Sequence, residues 1–166
     1  MDGVTFARAA EEHLEDVLAY LAYLTRDRAL AEELTGEAFE RALRLWGRYD
    51  PRKGSVKTWL CQVARTTALD HFRAEKRRRR REAAYALGEA PGSSQAPLAD
   101  GLSPELERAL AKLSAAEREV IALRVLLELD GPAAARVLGI SATACSTRLS
   151  RALHRLEEEM RDAVAA

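Results

Sequence analysis

Residues 55–81 read SVKTWLCQVARTTALDHFRAEKRRRRR, and this stretch decides the fold. Ser55 follows a proline and a glycine and is a suitable N-cap for a helix. Apolar residues then recur every three or four positions as far as Phe72, which predicts that one face of the helix lies in a core. Beyond Phe72 a run of cations extends from Lys76 to Arg81. A helix with an apolar half and a cationic half indicates either a domain that faces a polyanion or a solvated domain edge.

Charge is unevenly distributed along the chain. The 166 residues include 26 Lys and Arg and 26 Asp and Glu, so the formal net charge is zero. Acidic residues nevertheless dominate residues 11–40, and Arg and Lys dominate residues 41–81. This distribution is typical of a protein that meets both a basic protein partner and DNA, and also of an ordinary helical protein with uneven surface charge.

The composition argues against several classes of protein. No apolar run approaches the roughly 20 residues that span a bilayer. The N-terminal residues also lack a signal-peptide pattern, so we expect a cytoplasmic protein. The two cysteines, Cys61 and Cys145, lie far apart and match neither a disulfide framework nor a zinc-binding spacing. There is no glycine-rich phosphate loop, and we expect no metal and no cofactor.

Two further helices precede residues 55–81. The first covers residues 5–25, and its predicted apolar face consists of Phe6, Ala10, Leu14, Val17, Leu18, Leu21 and Leu24. The second begins after the N-cap Asp27 and runs to about Trp46, with apolar residues at spacings of three and four. No segment alternates as a strand does, so the chain is predicted to be all-α.

A change in composition divides the chain into two parts. Residues 88–103 are rich in Gly, Pro, Ser and Ala and have no hydrophobic periodicity, which is typical of a flexible linker. We therefore predict two small helical domains, residues 1–86 and 104–166, joined by a flexible linker over residues 87–103.

The second part contains a helix-turn-helix pattern. A short helix over residues 133–138 follows Asp130, Gly139 ends it, and Ser141 caps a last helix. In this motif the second helix enters the major groove of DNA, although a plain helical hairpin has the same pattern. The residues predicted to face the core are Ala144, Leu149, Leu153 and Leu156, with Cys145 beside them. The candidate DNA contacts are hydroxyl-bearing and basic residues, namely Ser141, Thr143, Ser146, Thr147, Arg148, Ser150, Arg151 and Arg155.

Together the two parts resemble the extracytoplasmic-function group of the sigma-70 family of RNA polymerase sigma factors. In the first part the resemblance rests on Glu37 and Phe39, Trp59-Leu60, Ala64-Arg65, and Leu69-Asp70 with Arg73. In the second part it rests on LSAAEREVIALR at residues 113–124 and LGISATACSTRLSRALHRL at residues 138–156. The second pattern also occurs in other helix-turn-helix domains, so the co-occurrence of both patterns is the specific feature.

The resemblance implies a subunit that binds core RNA polymerase and directs transcription initiation. The first domain would contact the clamp helices of the polymerase through Glu33, Glu37, Phe39, Glu40, Arg41 and Arg44. It would also recognise and melt the promoter −10 element through Asp50, Arg52, Lys53, Lys57, Trp59, Arg65, Arg73, Lys76 and Arg77. At Trp59 a buried core aromatic is the alternative to a stacking platform for a base. The last helix of the second domain would read the −35 element, and its flank would dock on the polymerase flap. An anti-sigma factor is a further expected partner, and no small-molecule substrate is expected.

The chain departs from the family pattern at a few positions, and two other functions stay open. Gly36 lies where the family usually has Gln, and Ser146 lies where Lys or Arg is common. The first alternative is a helix-turn-helix regulator that is not a polymerase subunit. The second is an enzyme that uses Cys61 or Cys145 with a histidine, but nothing in the sequence brings a nucleophile and a base together.

Overall fold

The computed structural model describes residues 4–84 and 101–166, and within these ranges the chain contains helices and no strand. The prediction of an all-α fold is therefore confirmed. The α-helices are α1 (Phe6–Thr25), α2 (Arg28–Leu45), α3 (Val56–Ala83), α4 (Pro104–Lys112), α5 (Ala115–Ile121), α6 (Gly131–Leu138) and α7 (Ala142–Ala165). A 3₁₀ turn at Trp46–Arg48 follows α2, and a π-helical turn at Ala122–Leu126 extends α5. Most of the predicted linker, residues 87–100, lies outside the described residues.

Each helix begins at a side chain that accepts a hydrogen bond from a backbone N–H group of the first turn. The capping residues are Thr5, Asp27, Ser55, Ser103, Ser114, Asp130 and Ser141. Ser114 and Glu117 form a capping box, in which the Ser114 N–H donates to Glu117 Oε2 at 2.7 Å and the Glu117 N–H donates to Ser114 Oγ at 3.2 Å. Local sequence thus fixes where the helices begin, and the predicted starts of α2, α3 and α7 agree with the structure, whereas α6 begins at Gly131 and not at residue 133.

The turn between α6 and α7 depends on a glycine. Gly139 has φ +66° and ψ +33°, a left-handed conformation that costs side-chain-bearing residues free energy. The next residue, Ile140, packs against the core, and Ser141 then caps α7. This geometry joins a short helix to a long one as the helix-turn-helix pattern predicted.

The predicted core face of α7 is confirmed at Cys145, Leu149 and Leu156 and is wrong at two positions. The prediction placed Ala144 and Leu153 inside, but both are exposed, and Leu153 keeps 40% of its surface accessible. The inward face consists of Cys145, Leu149, Ala152 and Leu156. Ala152, rather than Leu153, completes this face, and the small residues Cys145 and Ala152 are fully buried on the helix that packs against α4, α5 and α6.

Helices α1, α2 and α3 pack on one another, and α4 to α7 form a second group. The two groups also pack together, because α1 contacts α5 and the π-helical turn while α3 contacts α6. One hydrophobic cluster consequently runs through both groups. The prediction for α1 was wrong at Leu14, which is 47% exposed, and it missed Tyr20 and Tyr23, which are buried.

Candidate nucleic-acid and polymerase interfaces

Aromatic side chains support the loop between α2 and α3. Trp46 stacks on Tyr49 with a centroid distance of 5.3 Å, and the edge-on pair Trp46–Trp59 is separated by 5.7 Å. Phe6 of α1 closes the cluster at 5.5 Å from Trp46. The Tyr49 hydroxyl donates to the Gly54 carbonyl oxygen at 3.0 Å. Trp59, a predicted −10 contact, is half-buried in this cluster and holds the loop by packing.

The loop itself exposes polar groups of the predicted −10 set. Arg52 donates from Nε and Nη2 to the two carboxylate oxygens of Asp50 at 3.0 and 2.9 Å. These hydrogen bonds lower the pKa of Asp50, so the carboxylate stays ionised. Lys53 is exposed one residue further on. The loop therefore offers an ionised carboxylate, a bidentate arginine and an exposed lysine at one place.

The second half of α3 carries exposed cations of the same set. Arg73 lies 3.6 Å from Asp70, whereas Lys76 and Arg77 form no ion pair within the described ranges. Lys57, in the first turn of α3, is half-buried and pairs with Asp16 at 3.3 Å. A cationic track on one exposed helix half is suited to the phosphate backbone of a nucleic acid.

Arg65 is placed differently from the other members of the predicted −10 set. Its side chain is 24% exposed, and Nε donates to Glu119 Oε1 of α5 at 2.7 Å. The guanidinium group of Arg136 in α6 also donates to the backbone carbonyl of Lys53. Part of the predicted −10 surface is thus in contact with the second group of helices.

The predicted polymerase-binding residues lie along α2. Glu37, Glu40, Arg41 and Arg44 line a shallow groove of about 310 Å³ with Thr67, Asp70 and His71 of α3. Arg41 Nη1 donates to Asp70 Oδ2 at 2.9 Å, and Arg44 Nη1 donates to Glu40 Oε1 at 2.7 Å. Glu33 is exposed, while Phe39 packs against the core and lies 6.4 Å from Phe6. The groove thus presents charges of both signs, whereas Phe39 belongs to the core.

The predicted −35 residues lie on the exposed side of α7. An open groove of about 560 Å³ is lined by Ala116, Glu117, Ser141, Thr143, Ala144, Thr147, Arg148 and Arg151. Ser146 and Ser150 are exposed on the same half of the helix. Ser141 Oγ accepts the N–H of Ala144 at 3.1 Å as the helix cap. Arg155 lies 3.5 Å from Glu117 and donates to the Lys112 carbonyl oxygen at 3.3 Å, so it joins α7 to α4 and α5.

Sequence reasoning missed the polar residues between the two groups of helices. Arg118 and Glu119 are the charged residues that are buried within residues 4–84 and 101–166. Tyr20 is fully buried beside them and donates to Glu119 Oε1 at 2.6 Å. No local sequence signal marks them, because the burial of residues 118–121 in α5 becomes visible only in the folded structure.

The same described ranges contain no cluster of metal-ligating side chains and no helix long and apolar enough to cross a membrane. Both cysteines are fully buried. Burial raises the pKa of the Cys61 thiol to about 12, which keeps the thiol protonated at neutral pH.

Family models match both parts of the chain. The model for sigma-70 region 2 matches residues 9–78, and a model for sigma-70 region 4 matches residues 103–156. The chain is also 30% identical over 155 residues to the ECF RNA polymerase sigma factor SigM of Bacillus subtilis, covering 93% of this chain and 94% of that protein. The chain belongs to the extracytoplasmic-function RNA polymerase sigma factors. The resemblance found in the sequence is thereby confirmed.

Other comparisons agree with this family. The sigma factor is 30% identical over 160 residues to BldN of Streptomyces coelicolor, and it spans 61% of the length of that relative. Its fold is similar to that of the sigma factor RpoE of Bartonella quintana, solved in complex with the anti-sigma factor NepR. That similarity has a TM-score of 0.76 at 26% identity and covers 94% of this chain and 96% of the other.

Proposed function

We propose that this sigma factor binds core RNA polymerase and directs transcription initiation at promoters, reading the −10 element with its first domain and the −35 element with its second. The observation that carries the proposal is the co-occurrence of matches to sigma-70 regions 2 and 4, with two separate polar surfaces on the corresponding helices. We also propose that the first domain comprises residues 1–86 and the second domain residues 104–166.

The chemistry of the first domain supports recognition and melting of the −10 element. Unstacking bases costs a few kcal/mol per step, and a protein offsets this by holding an extruded base and binding the single strand. The loop at residues 49–55 supplies polar groups for the base, and Arg73, Lys76 and Arg77 supply the cationic track. The groove along α2, with Glu37, Arg41 and their neighbours, is the proposed surface for the polymerase clamp.

In the second domain, α7 is proposed to enter the major groove at the −35 element. Thr143, Thr147 and Arg151 line its exposed groove, and Ser146 and Ser150 extend the same face. Hydroxyls and arginines of this kind bind phosphates and base edges. The cations that line this groove are Arg148 and Arg151, so its affinity for DNA without polymerase should be modest.

The regulatory partner and the cellular location follow from the same proposal. An anti-sigma factor is proposed as a regulator, because RpoE of Bartonella quintana was solved with one. We place the protein in the cytoplasm, where core polymerase and promoter DNA are found. No catalytic activity is proposed, since the Cys61 thiol stays protonated and both cysteines are inaccessible.

Run-off transcription tests the proposal. Core polymerase is incubated with and without the sigma factor on a pool of promoter fragments, and start sites that appear only with the protein are expected. Replacing Lys53, Arg73 and Arg77 by alanine should abolish these start sites, because the cationic track is lost. The matched control replaces Arg8, Arg108 and Arg161, which are exposed elsewhere, and should keep transcription. Absence of any start site, together with failure to co-elute with core polymerase, would contradict the proposal and favour a regulator that binds DNA alone.

A further inference from the structure

A cleft lined mainly by cations lies between the end of α1, the start of α2, the second half of α3 and the helix α5. Its volume is about 860 Å³, which exceeds the 310 Å³ of the groove along α2 and the 560 Å³ of the groove along α7. The charged residues that line it are five cations and two carboxylates, namely Arg26, Lys76, Arg79, Arg80, Arg118, Asp27 and Glu75. With His71 counted as neutral, the cleft carries an excess of three positive charges in a chain whose formal net charge is zero.

Two of these cations are withdrawn from solvent. Arg118 is buried, and its guanidinium group donates from Nε to the Tyr23 carbonyl oxygen at 3.1 Å and from Nη1 to the Leu113 carbonyl oxygen. Arg26 is half-buried, and its Nη1 donates to the Ala111 carbonyl oxygen at 3.3 Å. The Nε of Arg26 is buried and has no hydrogen-bond partner among the described residues. Carbonyl groups therefore bind parts of both guanidinium groups, and one buried donor is left over.

The positive charges of Arg26 and Arg118 are not compensated by the chain. Neither guanidinium group forms an ion pair with a carboxylate of residues 4–84 and 101–166. Burial, and then the nearby charge of Arg26, lowers the pKa of Arg118. A buried charge costs free energy unless an opposite charge or hydrogen bonds offset that cost. An anion in the cleft would supply the missing opposite charge.

The two carboxylates of the cleft are engaged in other interactions. Asp27 Oδ1 accepts the N–H of Leu30 at 3.1 Å as the cap of α2. Glu75 Oε1 lies 2.5 Å from Arg78 Nη2 and 3.5 Å from Arg79 Nε, so it pairs with cations of its own helix. The excess of positive charge in the cleft is therefore not removed by these two groups.

Helix α3 contributes further cations to the cleft. Lys76 and Arg80 follow Phe72 at intervals of four residues, so the three side chains lie on one face of the helix. Both cations are exposed, and neither forms an ion pair within the described part of the chain. Arg73 and Arg77 do not line the cleft. The cations of α3 are thus divided between two faces, and only Lys76 is shared with the proposed −10 track.

Phosphate groups fit this set of cations better than other common anions. A terminal phosphate carries about −1.5 to −2 charges at pH 7 and three acceptor oxygens, and guanidinium groups bind it in a bidentate manner. A terminal phosphate with a second phosphate beside it would roughly match the excess of three positive charges. A nucleic-acid backbone carries single charges along an extended chain, and it suits the exposed cations better than Arg118, which is buried in the cleft.

We propose that this cleft binds a small molecule that carries a diphosphate group. Arg26 and Arg118 supply the buried positive charge, and Arg80 supplies an exposed cation on α3. Inorganic pyrophosphate and nucleoside diphosphates share this chemistry. Phe72 lines the cleft and is half-buried, so a nucleoside could also stack on its ring. The inference goes beyond the proposed function and requires neither polymerase nor promoter DNA.

Isothermal titration calorimetry of the full-length chain with inorganic pyrophosphate and with ADP, at constant ionic strength, tests the proposal. Both compounds should bind at one saturable site. Arg26→Gln should weaken binding about tenfold, because a hydrogen bond to a charged group is lost. Arg80→Gln should weaken binding about threefold, and it changes an exposed side chain that forms no ion pair in the described ranges, so the fold is not affected.

The matched control is Arg8→Gln, the same chemical change at an exposed position of α1 outside the cleft. It should bind both compounds as the wild type does, and circular dichroism should show unchanged helix content in all variants. Phe72→Leu distinguishes the two sources of the diphosphate. A loss of ADP binding alone indicates a nucleotide, and equal binding of both compounds to this variant and to the wild type indicates the inorganic ion.

Three results would overturn the proposal. The first is the absence of saturable binding of either compound up to about 1 mM. The second is an equal loss of affinity in Arg8→Gln and Arg80→Gln, which would indicate diffuse attraction of anions. The third is binding of a single strand of about 15 nucleotides that depends on Arg80 while neither small molecule binds, which would assign the cleft to nucleic acid. Run-off transcription is measured separately, so failure of the sigma function is distinguished from failure of this site.

Discussion

The two proposed DNA-binding surfaces differ in whether other parts of the molecule cover them. On α7, Ser146, Thr147 and Arg151 are exposed, and no other part of the described chain covers them. On the first domain, Arg65 is bound to Glu119, and the Lys53 carbonyl group is bound to Arg136. Residue types indicated the α7 surface, whereas the family resemblance indicated the −10 surface. In the structure the −10 surface is covered at Arg65 and at the Lys53 backbone, while the side chains of Lys53, Arg73 and Arg77 stay exposed. Accessibility of a binding residue is thus a property of the domain arrangement.

The substitution with the largest expected effect tests whether the two domains unfold as one cooperative unit. Leu123 is fully buried in the π-helical turn that contacts α1, so Leu123→Ala should reduce the free energy of unfolding by about 2–5 kcal/mol. Both tryptophans, Trp46 and Trp59, lie in the first domain, so their fluorescence reports that domain alone. We monitor urea unfolding by tryptophan fluorescence and by circular dichroism. Both transitions are expected to move to lower urea concentration by the same amount.

Val125→Ala is the control for this prediction. Val125 belongs to the same turn and is 54% exposed, so its loss should change stability by less than about 0.5 kcal/mol. If Leu123→Ala shifts the circular dichroism transition and leaves the tryptophan transition in place, the domains unfold independently and their contact contributes little.

The next effect concerns the turn of the helix-turn-helix. Gly139→Ala should destabilise the second domain by about 1–2 kcal/mol, because the alanine must adopt φ near +66°. The open space around the Gly139 Cβ position excludes a steric clash as the cause. Urea unfolding measures the loss, and the variant should also bind −35 DNA more weakly. Unchanged stability would show that the turn relaxes to another conformation.

A smaller effect separates DNA-contacting arginines from structural ones on α7. Arg151 is exposed at the groove, so Arg151→Ala should weaken binding to −35 DNA several-fold and reduce the salt slope by about one. Arg155 is held by Glu117 and the Lys112 carbonyl group, so Arg155→Ala should mainly lower stability. Fluorescence anisotropy at a series of salt concentrations distinguishes the two variants. If the salt dependence of DNA binding has the same slope in both, the separate roles given to Arg151 and Arg155 are contradicted.

The smallest effect should be a gain in stability in the first domain. Gly36 lies in the middle of α2, and an added Cβ meets no atom within 4 Å. Gly36→Ala should therefore stabilise the protein by about 0.5–1 kcal/mol, the opposite sign from Gly139→Ala. Thermal unfolding measures the gain. A lower affinity for core polymerase in the same variant would indicate that the glycine serves the polymerase contact on α2.

The local sequence predicted much of the fold but less of the candidate DNA-binding and polymerase-binding surfaces. Helix starts were predictable because Asp27, Ser55, Ser114 and Ser141 cap their own first turns, an interaction confined to neighbouring residues. On α7 the prediction was wrong at Ala144 and Leu153, because these apolar residues flank the buried stripe and periodicity alone does not set the edges of that stripe. The contact of Trp59 with Trp46 and Tyr49 likewise required the folded loop.

By itself the sequence determined the all-α class, the helix-turn-helix and the family, because capping, periodicity and motif residues act over a few positions. Only the tertiary structure brought Glu119 to Tyr20, 99 positions apart, and to Arg65. The physical reason is that hydrophobic periodicity reports that a face is buried, but not which distant surface covers it. A buried glutamate with its partners in another domain has no local signature, and it becomes visible only when the helices are packed.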